Sequence, residues 1–189
     1  KAVNQEVFND EVLANLGLEK EKLVEQKAIE VGNIFDLKDK YSSGLGLFFT
    51  DESGDKKPVL MGCYGMGLGR LMGTVVEVLS DDKGIAWPES IAPFKIHLLL
   101  LGESEIASAE ANKVYQSLLD NKIEVLFDDR VDMSAGEKFA DADLLGMPYR
   151  AVVSERSMKE GGVELKKRTE DKGKIVKLDE LLKLLAPSA

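Results

Sequence analysis

An alternation of strand-like and helix-like segments, starting at residue 94, determines the fold class of the second half of the chain. Residues 94–101 end in a continuous apolar run, which is typical of a strand covered on both faces. Helices and further strands are then predicted in turn, at 103–121, 123–127, 135–145, 149–154, 163–168 and 178–185. In the helix at 103–121, the residues expected to face the core are Ile106, Ala109, Val114 and Leu118. Strands joined through helices predict a three-layer α/β domain with right-handed crossovers.

The first half of the chain has shorter extended segments. A helix is predicted at 6–16, where Gly17 stops it, and another from Gly65 to about Ser80. Strands are predicted at 28–35, 45–50 and 59–63. The last two flank a polar turn, so we expect them to pair with each other as an antiparallel hairpin.

A proline-containing stretch separates these two patterns. Pro88 and Pro93 are close enough together to make a continuous helix or strand unfavourable. We therefore predict two domains, residues 1–93 and residues 94–189.

The composition narrows the class of partner. The formal net charge of −9 argues against bulk electrostatic binding of nucleic acid, so any RNA contact must depend on a few placed cations. Cys63 is the only cysteine and His97 the only histidine, which excludes an intrachain disulfide and a Cys/His zinc site. We expect His97 to be a packed strand residue. The apolar run 96–101 is too short to span a bilayer, no signal-peptide pattern opens the chain, and the predicted compartment is the cytoplasm.

A glycine-rich segment that ends in Arg70 lies where a strand is predicted to become a helix. Gly65, Gly67 and Gly69 remove side chains from one side of the chain, so a flat ligand or a neighbouring backbone can approach closely. A guanidinium beside them is suited to a polyphosphate, which it can grip bidentately without losing charge. Close helix–sheet packing is an alternative explanation. A Rossmann phosphate loop is disfavoured because the third glycine of that fingerprint is missing and the preceding strands are predicted to be antiparallel.

This segment resembles motif 3 of class II aminoacyl-tRNA synthetases, in which small and apolar residues alternate before an arginine. Further segments, in the same order, resemble bacterial-type prolyl-tRNA synthetases: 30–35 (EVGNIF), 40–42 (KYS), 61–65 (MGCYG), 84–93 (GIAWPESIAP), 126–130 (LFDDR), 136–141 (GEKFAD) and 145–150 (LGMPYR). The resemblance covers nearly the whole chain from about Ala28.

The resemblance implies the C-terminal part of such an enzyme. The fold would be a partial α+β class II catalytic domain with an antiparallel sheet, followed by an α/β three-layer anticodon-binding domain with a mixed sheet. Members of the family form prolyl-adenylate from ATP and proline and pass the prolyl group to tRNA. Arg70 matches the motif 3 arginine, which implies a catalytic role in holding the ATP phosphates. Gly65, Gly67 and Gly69 would form the floor of the ATP site, and Mg²⁺ is expected with the ATP.

The resemblance also implies residues that bind proline. Cys63 corresponds to a cysteine that lines the amino-acid pocket, although a buried strand thiol that acts as a small hydrophobe is at least as good an explanation. Asn33 stands where most bacterial members have a histidine, and asparagine keeps the hydrogen-bonding capacity but does not ionise at neutral pH.

In the second domain the resemblance implies residues that contact the anticodon. Asp143, Arg150 and Arg156 occupy the base-reading positions, and Lys138 is a candidate phosphate contact. The two anticodon bases shared by proline tRNAs are guanines. A carboxylate can accept from guanine N1–H and N2–H, and an arginine can donate to O6 and N7. A solvated helix face or an ordinary ion pair is the alternative for each residue, and the basic run 166–168 is expected to be a solvated strand end.

The expected partners are tRNA-Pro, proline and ATP, with a homodimer in the complete enzyme, and neither a membrane nor DNA. Nothing in the chain resembles class II motif 1 or motif 2, so we expect these 189 residues alone to have no aminoacylation activity. A tRNA-binding module without chemistry is an alternative, which the intact glycine–arginine segment disfavours. A threonyl-type synthetase is another, disfavoured because the zinc ligands of that family have no counterparts here.

Overall fold

The computed structural model describes residues 2–186. Its strands are β1 (Gly32–Lys38), β2 (Phe48–Thr50), β3 (Lys56–Pro58), β4 (Met61–Met66), β5 (Ile96–Leu100), β6 (Val125–Asp128), β7 (Tyr149–Val153), β8 (Val163–Lys167) and β9 (Lys174–Val176). Its α-helices are α1 (Asp10–Leu16), α2 (Leu68–Leu79), α3 (Glu105–Asp120), α4 (Ala135–Leu145), α5 (Glu155–Lys159) and α6 (Leu178–Leu185). No helix within the described range is long and apolar enough to cross a bilayer. The outer ends of the two predicted domains, residue 1 and residues 187–189, lie outside the described residues.

The chain divides into two compact units, an N-terminal unit (Lys1–Met66) and a C-terminal unit (Gly67–Ala189). The proline-containing stretch belongs to the C-terminal unit because its backbone is hydrogen-bonded there. The Ile85 N–H donates to the Leu144 carbonyl at 3.1 Å, and the Trp87 N–H donates to the Gly146 carbonyl at 3.0 Å. The boundary predicted after residue 93, from the two prolines and the change of pattern, stays a prediction.

The N-terminal unit contains two separate antiparallel strand pairs. The antiparallel character is as predicted, but the predicted partners are wrong, since β2 pairs with β3 and β4 pairs with β1. The hairpin ends one residue after Pro58, where the Val59 N–H donates to the Leu47 carbonyl at 3.3 Å, and the chain then enters β4, which pairs with β1 instead. The strand predicted at 28–35 begins four residues later, at Gly32.

Helix α1 is shorter than the predicted 6–16. The extended Asn9 starts it, and its side chain accepts a hydrogen bond from the Val12 N–H at 2.9 Å. Gly17 ends the helix in the left-handed conformation, as the sequence predicts.

The C-terminal unit is built on a five-stranded mixed sheet in the order β6-β5-β7-β8-β9. Strand β5 lies between β6 and β7 and is parallel to both, whereas β8 is antiparallel to both β7 and β9. Every residue of β5 is buried, as predicted for a strand covered on both faces. Ile96, Leu98 and Leu100 belong to the core shared with α3 and α6, whereas Leu99 packs with Ala142 of α4. Helices therefore cover both faces, which confirms the three layers.

The predicted inner face of α3 is half wrong. Val114 and Leu118 are buried, but the rest of the buried stripe is Ala107 and Ala111, while Ile106 is 71% exposed and Ala109 is also exposed. Small alanine side chains let the first turns of the helix approach the sheet, so apolarity alone selects the wrong residues there. The sequence interpretation also missed α5 and β9, which are short elements of five and three residues.

Candidate functional sites

The glycine–arginine segment lies at a strand-to-helix junction, as predicted. Strand β4 ends at Met66, Gly67 is the N-cap of α2, and Arg70 is an exposed residue of the first helical turn. A Cβ atom added to Gly65 or Gly69 would meet no atom of the described residues within 4 Å. Packing within the described part of the chain therefore does not explain these two glycines, which weakens the close-packing alternative.

The two residues predicted to bind proline share one face of the β1–β4 ribbon. Asn33 is directly opposite Gly65, and Cys63 lies two residues before Gly65 on the same strand. The Asn33 amide donates to a carboxylate oxygen of Glu30 at 3.0 Å, and Cys63 is exposed. The register thus brings together Asn33, Cys63 and Gly65, three of the residues predicted for the N-terminal unit.

In the C-terminal unit the structure brings Asp143 of α4 and Arg150 of β7 together. The Arg150 guanidinium donates through Nη1 to Oδ1 of Asp143 at 2.9 Å, with 15% and 24% of the two side chains exposed. Arg150 also lies over the Phe139 ring, 4.5 Å from its centroid. Two opposite charges are thus held in a half-buried position, where their orientation is fixed and part of each side chain still reaches solvent.

Arg156, which is predicted to read an anticodon base, is not part of this pair. It lies on α5, beyond the opposite end of the strand that carries Arg150. Its side chain is 84% exposed and pairs with Glu160 at 3.0 Å. That pairing raises the pKa of the Arg156 guanidinium above its ordinary value. The structure therefore separates Arg156 from Asp143 and Arg150.

Lys138 is buried, which conflicts with the predicted phosphate contact. Its ammonium donates to the Leu100 carbonyl at 2.8 Å and to the Asp128 carbonyl at 3.4 Å, and it lies 3.5 Å from an oxygen of the Asp128 carboxylate. A phosphate contact requires the ammonium at the surface, whereas only 2% of this side chain is exposed. Lys138 instead joins the end of β5 to the end of β6. The signal in the sequence is its position four residues before Ala142, on the inner stripe of α4.

Arg130 completes this buried network. Its guanidinium donates to both carboxylate oxygens of Asp128, at 2.9 and 2.7 Å, and to Asp141 at 2.7 Å. The hydrogen bonds from Arg130 lower the pKa of Asp128 to about 2, against the opposing effect of burial. Asp128 is therefore ionised at neutral pH and balances the buried Lys138.

His97 is a packed strand residue, as expected. It is 3% exposed and lies opposite Arg150 in the β5–β7 register. Burial lowers its pKa to about 4, so the imidazole is neutral at pH 7. Its Nδ1 has no hydrogen-bond partner among residues 2–186.

The sequence interpretation missed Arg168. Its side chain is only 7% exposed, so the expectation of a solvated strand end at 166–168 is wrong at its last residue. The guanidinium donates to both carboxylate oxygens of Asp81, at 2.8 and 2.6 Å, and through Nε to the Asp143 backbone carbonyl at 3.2 Å. It holds the pKa of the Asp81 carboxyl well below its usual range. A basic run alone does not distinguish such an arginine from a solvated one.

Comparison with known proteins shows the family to which the chain belongs. The family model for the anticodon binding domain matches residues 90–186. The chain is 47% identical over 163 residues to a proline–tRNA ligase of Persephonella marina. This alignment covers 86% of this chain and 29% of that protein. The chain is also 44% identical over 158 residues to a proline–tRNA ligase of Dehalococcoides mccartyi. That alignment covers 83% of this chain and 28% of the relative. The chain thus spans less than a third of the length of these curated relatives.

Solved structures show the same fold. The prolyl-tRNA synthetase of Cryptosporidium parvum, in a complex with halofuginone and AMPPNP, aligns with a TM-score of 0.73 and 23% identity. The alignment covers 82% of this chain and 33% of that one. The Giardia lamblia prolyl-tRNA synthetase, in complex with prolyl-adenylate, aligns with a TM-score of 0.69 and 20% identity, over 80% of this chain and 33% of that one.

Proposed function

The chain belongs to the anticodon binding domain family, and from this premise we propose that it is the C-terminal part of a proline–tRNA ligase. The complete enzyme would activate proline with ATP and transfer it to tRNA-Pro, as a homodimer in the cytoplasm. The observation that carries the proposal is the similarity to proline–tRNA ligases over more than four fifths of the chain. The half-buried Asp143–Arg150 pair supplies a physical basis for the part of this function that lies in the C-terminal unit.

We assign recognition of the anticodon guanines to that pair. A guanine presents N1–H and N2–H donors on one edge and O6 and N7 acceptors on another. The carboxylate of Asp143 complements the donors, and the guanidinium of Arg150 complements the acceptors. Their mutual contact uses Oδ1 and Nη1, and the buried Nε of Arg150 has no hydrogen-bond partner within residues 2–186. Partial burial strengthens such contacts because water competes less for the same groups.

The first test is the substitution Asp143→Asn in the whole chain. The amide replaces one acceptor oxygen by a donor, which conflicts with the guanine donors. The affinity for a tRNA-Pro transcript should therefore fall about tenfold or more. Arg150→Ala should act in the same direction. Equilibrium binding at one fixed salt concentration measures both effects.

The matched control is Glu110→Gln, an acid-to-amide change in the exposed Lys113–Glu110 pair of α3. This control should leave the affinity unchanged because an exposed surface pair contributes little. If Asp143→Asn binds tRNA-Pro as tightly as Glu110→Gln does, the assignment of the anticodon site is wrong.

Arg70 is the residue that we propose for the ATP phosphates, with Gly65, Gly67 and Gly69 as the floor of the site. A guanidinium in the first turn of α2 would neutralise charge on the β- and γ-phosphates while pyrophosphate leaves, without any proton transfer. Asn33 and Cys63 are proposed to face the proline. Within residues 2–186 no group of three His, Cys, Asp or Glu side chains is suited to a metal ion.

The second test is Arg70→Ala in the complete enzyme, measured as proline-dependent ATP–pyrophosphate exchange. Loss of the guanidinium should lower the exchange rate by about a hundredfold or more. Arg70→Lys keeps the charge but loses the bidentate geometry, so its exchange rate should lie between those of the wild-type enzyme and Arg70→Ala. An Arg70→Ala enzyme with near-normal exchange would contradict the role of Arg70.

A further inference from the structure

Residues 81–87, called here the linking segment, follow α2 and dock along the C-terminal end of α4. Two backbone N–H groups of the segment, those of Ile85 and Trp87, donate to the carbonyls of Leu144 and Gly146. Carbonyls in the last turn of a helix have no partner inside the helix. The linking segment therefore satisfies groups at the end of the helix that also carries Asp143.

The approach is so close that two glycines are required for it. A Cβ atom on Gly84 would overlap the backbone of Leu144, and one on Gly146 would overlap the backbone carbonyl of Ile85. Both glycines also have positive φ angles, of 144° and 70°. The position of the segment against α4 is thus defined by direct backbone contact.

Arg168 joins the segment to the proposed base-reading residue. One guanidinium holds the Asp81 side chain through two hydrogen bonds and the Asp143 backbone through a third. Asp81 is itself fixed in a turn, because Oδ1 accepts from the backbone N–H groups of Lys83 and Gly84 at 2.9 and 3.1 Å. A planar guanidinium can hold both partners at once, which a lysine ammonium does less well because it is a point charge on a flexible stem.

We propose that Arg168 is a positioning residue for anticodon recognition: it fixes Asp143 against the linking segment and thereby sets the specificity for guanine. This inference rests on the proposed function of the Asp143–Arg150 pair. Arg168 itself is largely buried and already has three acceptors, so its effect on RNA passes through Asp143 rather than through direct contact.

The test is the preference of the whole chain for guanine over adenine. Binding is measured with a tRNA-Pro transcript and with the same transcript carrying adenine at the two guanine positions of the anticodon. The wild-type chain should prefer guanine about tenfold or more, and Arg168→Lys should reduce that ratio to about threefold or less. Adding Arg168→Lys to Asp143→Asn should cause no further loss of preference, because the effect passes through Asp143.

The matched control is Arg130→Lys, which breaks an equally bidentate arginine–aspartate contact that does not involve Asp143. It should lower stability but keep the guanine preference, which separates positioning from a merely structural effect. If Arg168→Lys does not fold, Asp81→Asn takes its place in the test. It weakens the same Arg168–Asp81 contact, and Asp81 is the more exposed of the two partners.

The possible outcomes separate the two proposals. If Asp143→Asn loses the guanine preference while Arg168→Lys and Asp81→Asn keep the wild-type ratio, the role of Arg168 is overturned and the anticodon site stands. If the wild-type chain shows no preference at all, the anticodon site and the role of Arg168 are both overturned.

Discussion

At the scale of single residues, charge in the C-terminal unit acts through a few fixed pairs. Lys138 and Arg130 both contact Asp128, but Lys138 is inside the unit and Arg130 is at its edge. Removing one member of a buried charge group leaves its partners uncompensated, which is more costly than losing an exposed pair. We therefore expect Lys138, which the resemblance implies as a phosphate contact, to stabilise the fold instead.

We expect Lys138→Met to lower the free energy of unfolding by about 2–3 kcal/mol, because the Leu100 carbonyl and Asp128 lose a donor. Urea unfolding followed by the fluorescence of Trp87, the only tryptophan, measures this change. Lys113→Met is the control, since the Lys113 side chain is 64% exposed. It should cost less than about 0.5 kcal/mol.

The same variant distinguishes the structural role from the predicted RNA contact. Below the unfolding temperature, Lys138→Met should bind tRNA-Pro with unchanged affinity and unchanged salt dependence. A weaker affinity with a shallower salt dependence would restore Lys138 as a phosphate contact.

At the scale of elements, the end of α4 is the best-defined junction in the C-terminal unit. The helix stops at Gly146 in the left-handed conformation, and the linking segment packs directly on that stop. The backbone of one element thus fills the space that a side chain would need on the other.

Gly146→Ala should therefore destabilise the C-terminal unit by about 4 kcal/mol or more, since it combines an unfavourable φ with an overlap against the Ile85 carbonyl. Gly161→Ala is the matched control, because Gly161 has a φ of 89° but open space around its Cβ position. It should cost only the conformational term, about 1–2 kcal/mol. Equal losses in the two variants, measured by urea unfolding, would show that the linking segment is not docked as described.

The sequence predicted correctly those helices and strands whose apolar pattern follows from their packing against the core. The bounds of α6 and the burial of β5 on both faces agree with the prediction because an apolar stripe or run must face the core. The bounds of α4 also agree, because Gly146 ends that helix in the left-handed conformation. Strand partners in the N-terminal unit could not be predicted in the same way, since β4 pairs with β1, a strand distant in sequence, rather than with the neighbouring hairpin.

In the candidate sites, too, contacts between residues distant in sequence could not be predicted. Motif resemblance singled out Asp143 and Arg150, which the structure brings into contact. It did not show that Arg168 is buried against Asp81, a contact between residues 87 positions apart. Nor did it show that Lys138 points inward, because a lysine on a helix reads as solvated unless the helix face is known.

At the scale of the whole molecule, a net charge of −9 argues against RNA binding by bulk electrostatic attraction. If this chain binds tRNA, the affinity must come from a few placed groups, and it depends on the identity of the bases where those groups contact base edges. The central claim is that the C-terminal unit reads the guanines of the proline anticodon.

The most direct test is the affinity of the wild-type chain for two anticodon stem-loops of tRNA-Pro at one salt concentration. One stem-loop carries its two guanines and the other has adenines in their place. We predict that the guanine form binds about tenfold tighter or more. Equal affinities, falling equally as salt is raised, would contradict the claim.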